Sequence, residues 1–143
     1  MTPSSVTIVR SIKAPPAKVW AAITEPSQMT RWWGPDAGPT LSAEADVRPG
    51  GRYRVVFRLL NGDEHAPTGV YRVVEPPRRL VFTWEWTGAR ERDSLVTFEL
   101  APMEPGTQLT LIHEQLPPDA VESHKLGWTG WADKLEAYFG DGA

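Results

Sequence analysis

Apolar positions along this chain keep two different periods. From residue 40 to residue 113 they alternate in twos, the signature of strands with one buried face. Leu41, Ala43, Ala45 and Val47 alternate with Ser42, Glu44 and Asp46; Tyr53, Val55, Phe57 and Leu59 alternate with Arg52, Arg54, Val56 and Arg58. Gly69, Tyr71 and Val73 share a third row, and Leu80, Phe82, Trp84 and Trp86 a fourth. Val96, Phe98 and Leu100, then Leu109, Leu111 and His113, complete the set. Turn chemistry separates the rows: Pro49-Gly50-Gly51, Asn61-Gly62, Pro76-Pro77, the polar loop from Gly88 to Asp93, and Pro105-Gly106. Asn-Gly between alternating runs is the strongest short-range hairpin signal. Six consecutive strands with short turns predict an antiparallel meander, apolar inside and polar outside.

The flanks follow the helical period. After a β-branched first strand, Val6 to Ile12, Pro16 is well placed to open a helix with Val19, Trp20 and Ile23 on one stripe. Glu25-Pro26 ends it, and Ser27 to Trp33 predicts a second short helix that turns Met29, Trp32 and Trp33 inward. The last stretch, Pro117 to Phe139, repeats Val121, His124, Trp128, Trp131, Leu135 and Tyr138 at spacings of three and four. It carries Gly127 and Gly130, each costing about 1 kcal/mol against alanine inside a helix. Tolerance of both predicts a close approach there, to a sheet or to a guest. The prediction is an α+β fold: seven antiparallel strands curved around a long C-terminal helix, with two short helices between the first two strands. One domain spans residues 1–143, with no repeat, linker or low-complexity tract.

Composition narrows the function classes. At 143 residues, the chain can bury about two thirds of its unfolded surface, enough for a true core. A net charge of -3 argues against nucleic acid as a partner. Cysteine is absent, which removes disulfides, thiolate metal sites and a cysteine nucleophile. The N-terminal stretch has no run that reads as a signal peptide or membrane anchor, so a cytoplasmic protein without stable membrane insertion is expected. Arginine outnumbers lysine, a compositional hint of a GC-rich bacterial genome. Seven tryptophans are the unusual figure, because each needs room for a large ring and a partner for its N–H.

Several short stretches together resemble the family related to the C-terminal domain of the activator of the heat-shock protein 90 ATPase. They are Ala14-Pro15-Pro16-Ala17-Lys18-Val19-Trp20, Trp32-Trp33-Gly34-Pro35, Asp46-Val47-Arg48-Pro49-Gly50-Gly51, Gly69-Val70-Tyr71, Pro76-Pro77-Arg78-Arg79-Leu80, and His124 followed by Gly127-Trp128. They run in family order over nearly the whole chain. That family belongs to the START-like, birch-pollen-allergen-like superfamily of helix-grip folds. The resemblance implies a seven-stranded curved sheet gripping the last helix around a hydrophobic cavity. Carriers, cyclases, sequestering proteins and chaperone regulators share this fold, so function rests on the site.

The candidate ligand-binding residues are Trp33, Tyr53, Phe57, Tyr71, Trp84, Trp86, His113, His124, Trp128 and Trp131, aromatic rings with a few polar groups as in small-molecule pockets. The plain alternative is an ordinary aromatic core. His113 and His124 can fix a ligand oxygen or act as acid and base, or serve structurally through backbone bonds. Glu44 and Asp46 fall on the polar face and read as solvated, with Asp46 organising the turn that follows. Arg52, Arg54 and Arg58 form an outer basic stripe. His65, His113 and His124 lack metal-motif spacing, and no nucleophile elbow, dinucleotide loop or Walker loop is present. No metal, cofactor or catalytic residue is therefore assigned. The leading expectation is a carrier, sensor or sequestering protein for a hydrophobic, lipid-like or polyketide-like molecule. The alternatives are a cofactor-independent cyclase, aromatase or hydrolase, and a chaperone-interacting regulator. A homodimer and a chaperone are the protein partners that remain open.

Overall fold

A computed structural model of the chain describes residues 4–33, 40–84, 94–103, 106–116 and 121–139. Strand β1 (Ser4–Ile12) leads into α1 (Pro16–Thr24) and α2 (Pro26–Trp32). The strands β2 (Thr40–Ala45), β3 (Arg52–Arg58), β4 (Glu64–His65), β5 (Thr68–Glu75), β6 (Arg79–Trp84), β7 (Ser94–Met103) and β8 (Gly106–Leu116) follow, and α3 (Val121–Phe139) closes the chain. Every pairing is antiparallel, in the order β1-β8-β7-β6-β5-β3-β2, with the two-residue β4 paired to β3. The sheet curls into a half-barrel of seven main strands. First and last strands are neighbours, so α1 and α2 carry the chain from one sheet edge to the other.

Local chemistry accounts for most boundaries. Proline occupies the first turn of both α1 and α2, where its missing N–H is no loss. Pro26 thus opens α2 as well as ending α1, one residue earlier than predicted. At Asn61-Gly62 the Asn61 side chain accepts the Asp63 N–H at 2.8 Å and Gly62 takes a φ of 97°, so the chain reverses into β4. The Pro49-Gly50-Gly51 turn bonds to the backbone of Tyr71 on β5, with Gly50 N–H donating to its carbonyl and Gly51 accepting its N–H. Arg48 donates to the Asp46 carboxylate at 2.8 Å, the turn-organising role predicted for Asp46.

The core lies between the inner sheet face and α3. Tyr53, Val55 and Phe57 from β3, Leu80, Phe82 and Trp84 from β6, and Phe98 from β7 are buried there with Trp128, Trp131, Ala132 and Leu135 of α3. Two expectations need correction. Leu41 does not join the apolar row: the register slips between Thr40 and Ser42, and Leu41 is 41% exposed. The outer face is not uniformly wet, since Val81, Thr83 and Thr97 on the central strands are buried. The segment 117–120, predicted as the start of the last helix, and the loop 88–93 lie outside the described residues. Among the described residues no helix is long and apolar enough to cross a membrane.

Gly69 sits on β5 against the backbone of Thr83 on β6. A Cβ there would overlap the Thr83 carbonyl oxygen, whereas at Gly62 it would meet nothing within 4 Å. The two costs therefore differ in kind. Gly69→Ala should destabilise by about 3 kcal/mol through overpacking. Gly62→Ala should lose only about 1–2 kcal/mol from its left-handed backbone. Urea unfolding of both variants checks the order; a larger loss at Gly62 would contradict the packing described.

Candidate functional site

Inward rows from the sheet and the buried stripe of α3 bring their rings into one continuous network. It begins at Tyr71 and Tyr53, whose centroids are 5.5 Å apart, and passes to Phe82 at 5.1 Å from Tyr53. Phe82 meets Phe98 at 5.1 Å, and Phe98 stacks on Trp131 at 5.1 Å and 25°. Trp84 meets Trp128 at 4.9 Å, and Trp128 meets Trp131 edge-on at 5.3 Å. Trp131 then touches Trp32 at 5.0 Å and Trp33 at 5.4 Å, joining α3 to α2. These are the separations at which aromatic pairs attract. The rings fill the space between helix and sheet largely with one another.

A chain of polar atoms threads this apolar setting, and its direction can be derived. The Trp128 indole nitrogen lies 2.9 Å from His113 Nδ1. Indole is a donor only, so Nδ1 must be the unprotonated acceptor. The ring proton then sits on Nε2, which lies 2.9 Å from Ser94 Oγ and donates to it. Ser94 in turn donates to the Trp84 carbonyl at 2.9 Å. Strand register makes this possible: His113 pairs with Val96, and Ser94 is the next residue of β7 on the same face. Ser94 and His113 have the spacing of a nucleophile and its base, but the hydrogens run the wrong way. His113 Nε2 has no lone pair to take the serine proton.

Burial, with the neighbouring His124 ring second, lowers the His113 pKa to about 3. The two imidazoles meet edge to face at 5.0 Å. Burial also raises the Tyr71 phenol well above its ordinary range, with the Asp46 carboxylate adding to the effect. Other buried donors find carbonyls: Tyr53 donates to Thr83 at 2.7 Å and Trp32 to Ala22 at 3.1 Å. The Trp131 indole N–H is buried and has no acceptor among the described residues. At the α2 end, the Trp33 carbonyl accepts the Thr40 hydroxyl and, at 3.5 Å, the Lys134 ammonium.

Of the residues singled out in the sequence, Trp33, Tyr53, Tyr71, Trp84, His113, His124, Trp128 and Trp131 fall in this one network. Phe57 is buried near the β3–β4 turn, its ring 5.9 Å from His65. Trp86 lies outside the described residues. His113 is bonded by two side chains rather than by the backbone. Ser94 was missed, although its position two residues before Val96 places it on the inner row. Glu44, Asp46, Arg52, Arg54 and Arg58 are exposed. No cluster of three His, Asp or Glu suited to a metal occurs among the described residues.

The family model for activator of Hsp90 ATPase homolog 1-like protein matches residues 13–140. Among solved structures, protein CV1439 from Chromobacterium violaceum is 30% identical, covering 95% of this chain and 97% of its own, with a TM-score of 0.80. CalU16 from Micromonospora echinospora is 28% identical over 96% of this chain and 77% of its own, at a TM-score of 0.74. The AHSA1-like protein from Aeromonas hydrophila, 23% identical over 94% and 91%, shares the fold at a TM-score of 0.82. No curated protein matches the chain.

His113 gives the polar chain a pH signature. The unfolded chain titrates this imidazole near its ordinary 6.5, and the folded chain only near about 3. Between those values the unfolded state binds a proton that the folded state refuses. The contribution is intact above 6.5 and is lost as pH falls toward 3, at up to about 1.4 kcal/mol per pH unit. The stability advantage of wild type over His113→Gln should therefore shrink by about 2 kcal/mol between about pH 7 and pH 5. Denaturant titrations at both pH values, with NMR of the His113 ring, check this; an advantage independent of pH would contradict an imidazole held neutral by burial.

Proposed function

This chain belongs to the activator of Hsp90 ATPase homolog 1-like family, within the START-like superfamily, and from that premise we propose that it binds a flat hydrophobic small molecule between α3 and the curled sheet. The observation that supports this reading is the continuous ring network from Tyr71 to Trp33, an apolar, aromatic interior with few polar groups. Side chains of this kind line sites for aromatic or polyketide-like guests. The protein acts as a cytoplasmic carrier or sequestering protein. Binding exchanges ring–ring contacts for ring–guest contacts. Each aromatic pair contributes only about 0.5–1.5 kcal/mol beyond its burial, so the exchange is close to even. The helix is joined to the sheet through side chains: Trp128 to His113 inside, and Arg10 to Asp133 at 2.7 Å on the rim. It can shift as a unit without breaking a ladder of backbone bonds.

Catalysis by a Ser94–His113 pair is the weaker reading, because both nitrogens of His113 are already engaged. The test is native mass spectrometry with tryptophan fluorescence against a library of aromatic and polyketide-like compounds. The expected result is one-to-one adducts accompanied by quenching of the buried indoles. Absence of any adduct beyond nonspecific levels would remove the proposal.

A further inference from the structure

Tyr53, Trp32 and Trp128 each bury a donor that meets an acceptor in this core, and Trp131 does not. The Trp131 ring is fully buried, and its Nε1–H has no acceptor among the described residues. Its surroundings are rings: Trp32, Trp33, Phe98 and Trp128, with centroids 5.0–5.4 Å away. A ring face is a poor substitute for an oxygen. Phenylalanine would also pack among rings, with less surface but without an N–H to satisfy. Trp128, one turn earlier on the same stripe, shows the contrast, since its N–H is met by His113 at 2.9 Å.

Resting on the binding reading above, we propose that the guest carries a neutral hydrogen-bond acceptor, such as a ketone or ether oxygen, and that the Trp131 indole N–H receives it. Neutrality follows from what surrounds the rings. No Lys, Arg, Asp or Glu is among the buried residues described. The Trp128 N–H holds His113 in its neutral form, with its Nε2–H donating a hydrogen bond to Ser94. A carboxylate or ammonium entering this core would lose its water without gaining a counter-charge. The substrate class is thus an oxygenated aromatic or polycyclic ketone rather than a fatty acid or a bare hydrocarbon. Trp131 supplies the polar selectivity, and the other rings supply the apolar surface.

Matched compounds test this on the intact protein. 9-Fluorenone and fluorene differ by a carbonyl in place of a methylene, and 1-tetralone and tetralin repeat the comparison at smaller size. Fluorene-9-carboxylate adds the anion. Isothermal titration should show the ketone of at least one pair binding about tenfold tighter than its hydrocarbon, with the carboxylate weaker than fluorenone. Trp131→Phe should bring the ketone-to-hydrocarbon ratio close to one. In nitrogen-edited NMR spectra, the indole signal missing from Trp131→Phe should move downfield with the ketone and not with the hydrocarbon. Equal affinities within both pairs, a ratio unchanged in Trp131→Phe, or tightest binding by the carboxylate would overturn the inference while leaving the binding site standing. Failure of every compound to bind would overturn both.

Discussion

A single hydrogen bond, from the Trp128 indole to His113 Nδ1, fixes how the terminal helix sits on the sheet. Its influence comes from asymmetry. Indole cannot accept, so the direction of every later bond in the chain is determined by it. His113 must carry its proton on Nε2, Ser94 Oγ must accept the hydrogen bond from it, and Ser94 must donate to the Trp84 carbonyl. Four elements or strand ends, α3, β8, β7 and β6, are thereby linked through atoms that water does not reach. In a low-dielectric interior such a network is worth keeping complete, because an unpaired member costs about 1–3 kcal/mol.

Rings and polar atoms divide the work on α3. Burial of Trp128, Trp131, Ala132 and Leu135 supplies most of the attraction, at about 1.5–3 kcal/mol for a large side chain. That attraction has little directional preference, and a helix pressed onto a greasy face can rotate or slide. The Trp128–His113 bond selects one rotation and one register. Contacts at the rim add less. Arg10 reaches Asp133 at 2.7 Å, but Asp133 is 63% exposed, and pairs of this kind contribute about 1 kcal/mol or nothing. Tyr138 reaches Gln28 at 3.3 Å on the same rim. The helix is thus strongly attracted, oriented at one interior point and only lightly fastened along its edge. That arrangement suits a wall that yields to a guest and returns to one position.

Much of this was legible in the spacing of side chains. Alternation placed Tyr53, Phe57, Tyr71, Phe82, Trp84, Phe98 and His113 on the inner face, and helical spacing placed His124, Trp128, Trp131 and Leu135 on the buried stripe. Local patterns encode which face a residue takes, because burying one face imposes a period of two on a strand and about 3.6 on a helix. Leu41 escaped because a register slip breaks the alternation without any mark in composition. Ser94 and Arg10 escaped for another reason: each lies on an inner row, but a hydroxyl or a guanidinium there looks like an interruption of the apolar pattern. The Trp128–His113 bond was not readable at all. It joins a strand to a helix 15 residues away and depends on their relative placement, which periodicity does not carry.

Whether such an interior is a core or a site turns on its polar atoms more than on its rings. An aromatic core built only for stability would pair every donor it buries, as Trp32, Tyr53 and Trp128 are paired here. Trp131 departs from that rule among the described residues. Its indole gives more ring surface than phenylalanine, a gain of about 25 cal/mol for each Å² of added apolar area removed from water. Leaving its N–H without an acceptor costs about 1–3 kcal/mol, which offsets the gain from several tens of Å². The larger ring is therefore a doubtful bargain for packing alone and a sound one where an acceptor arrives with the guest. The same balance explains why the polar chain through His113 is closed and neutral: it orients the wall while leaving the Trp131 donor without competition from His113.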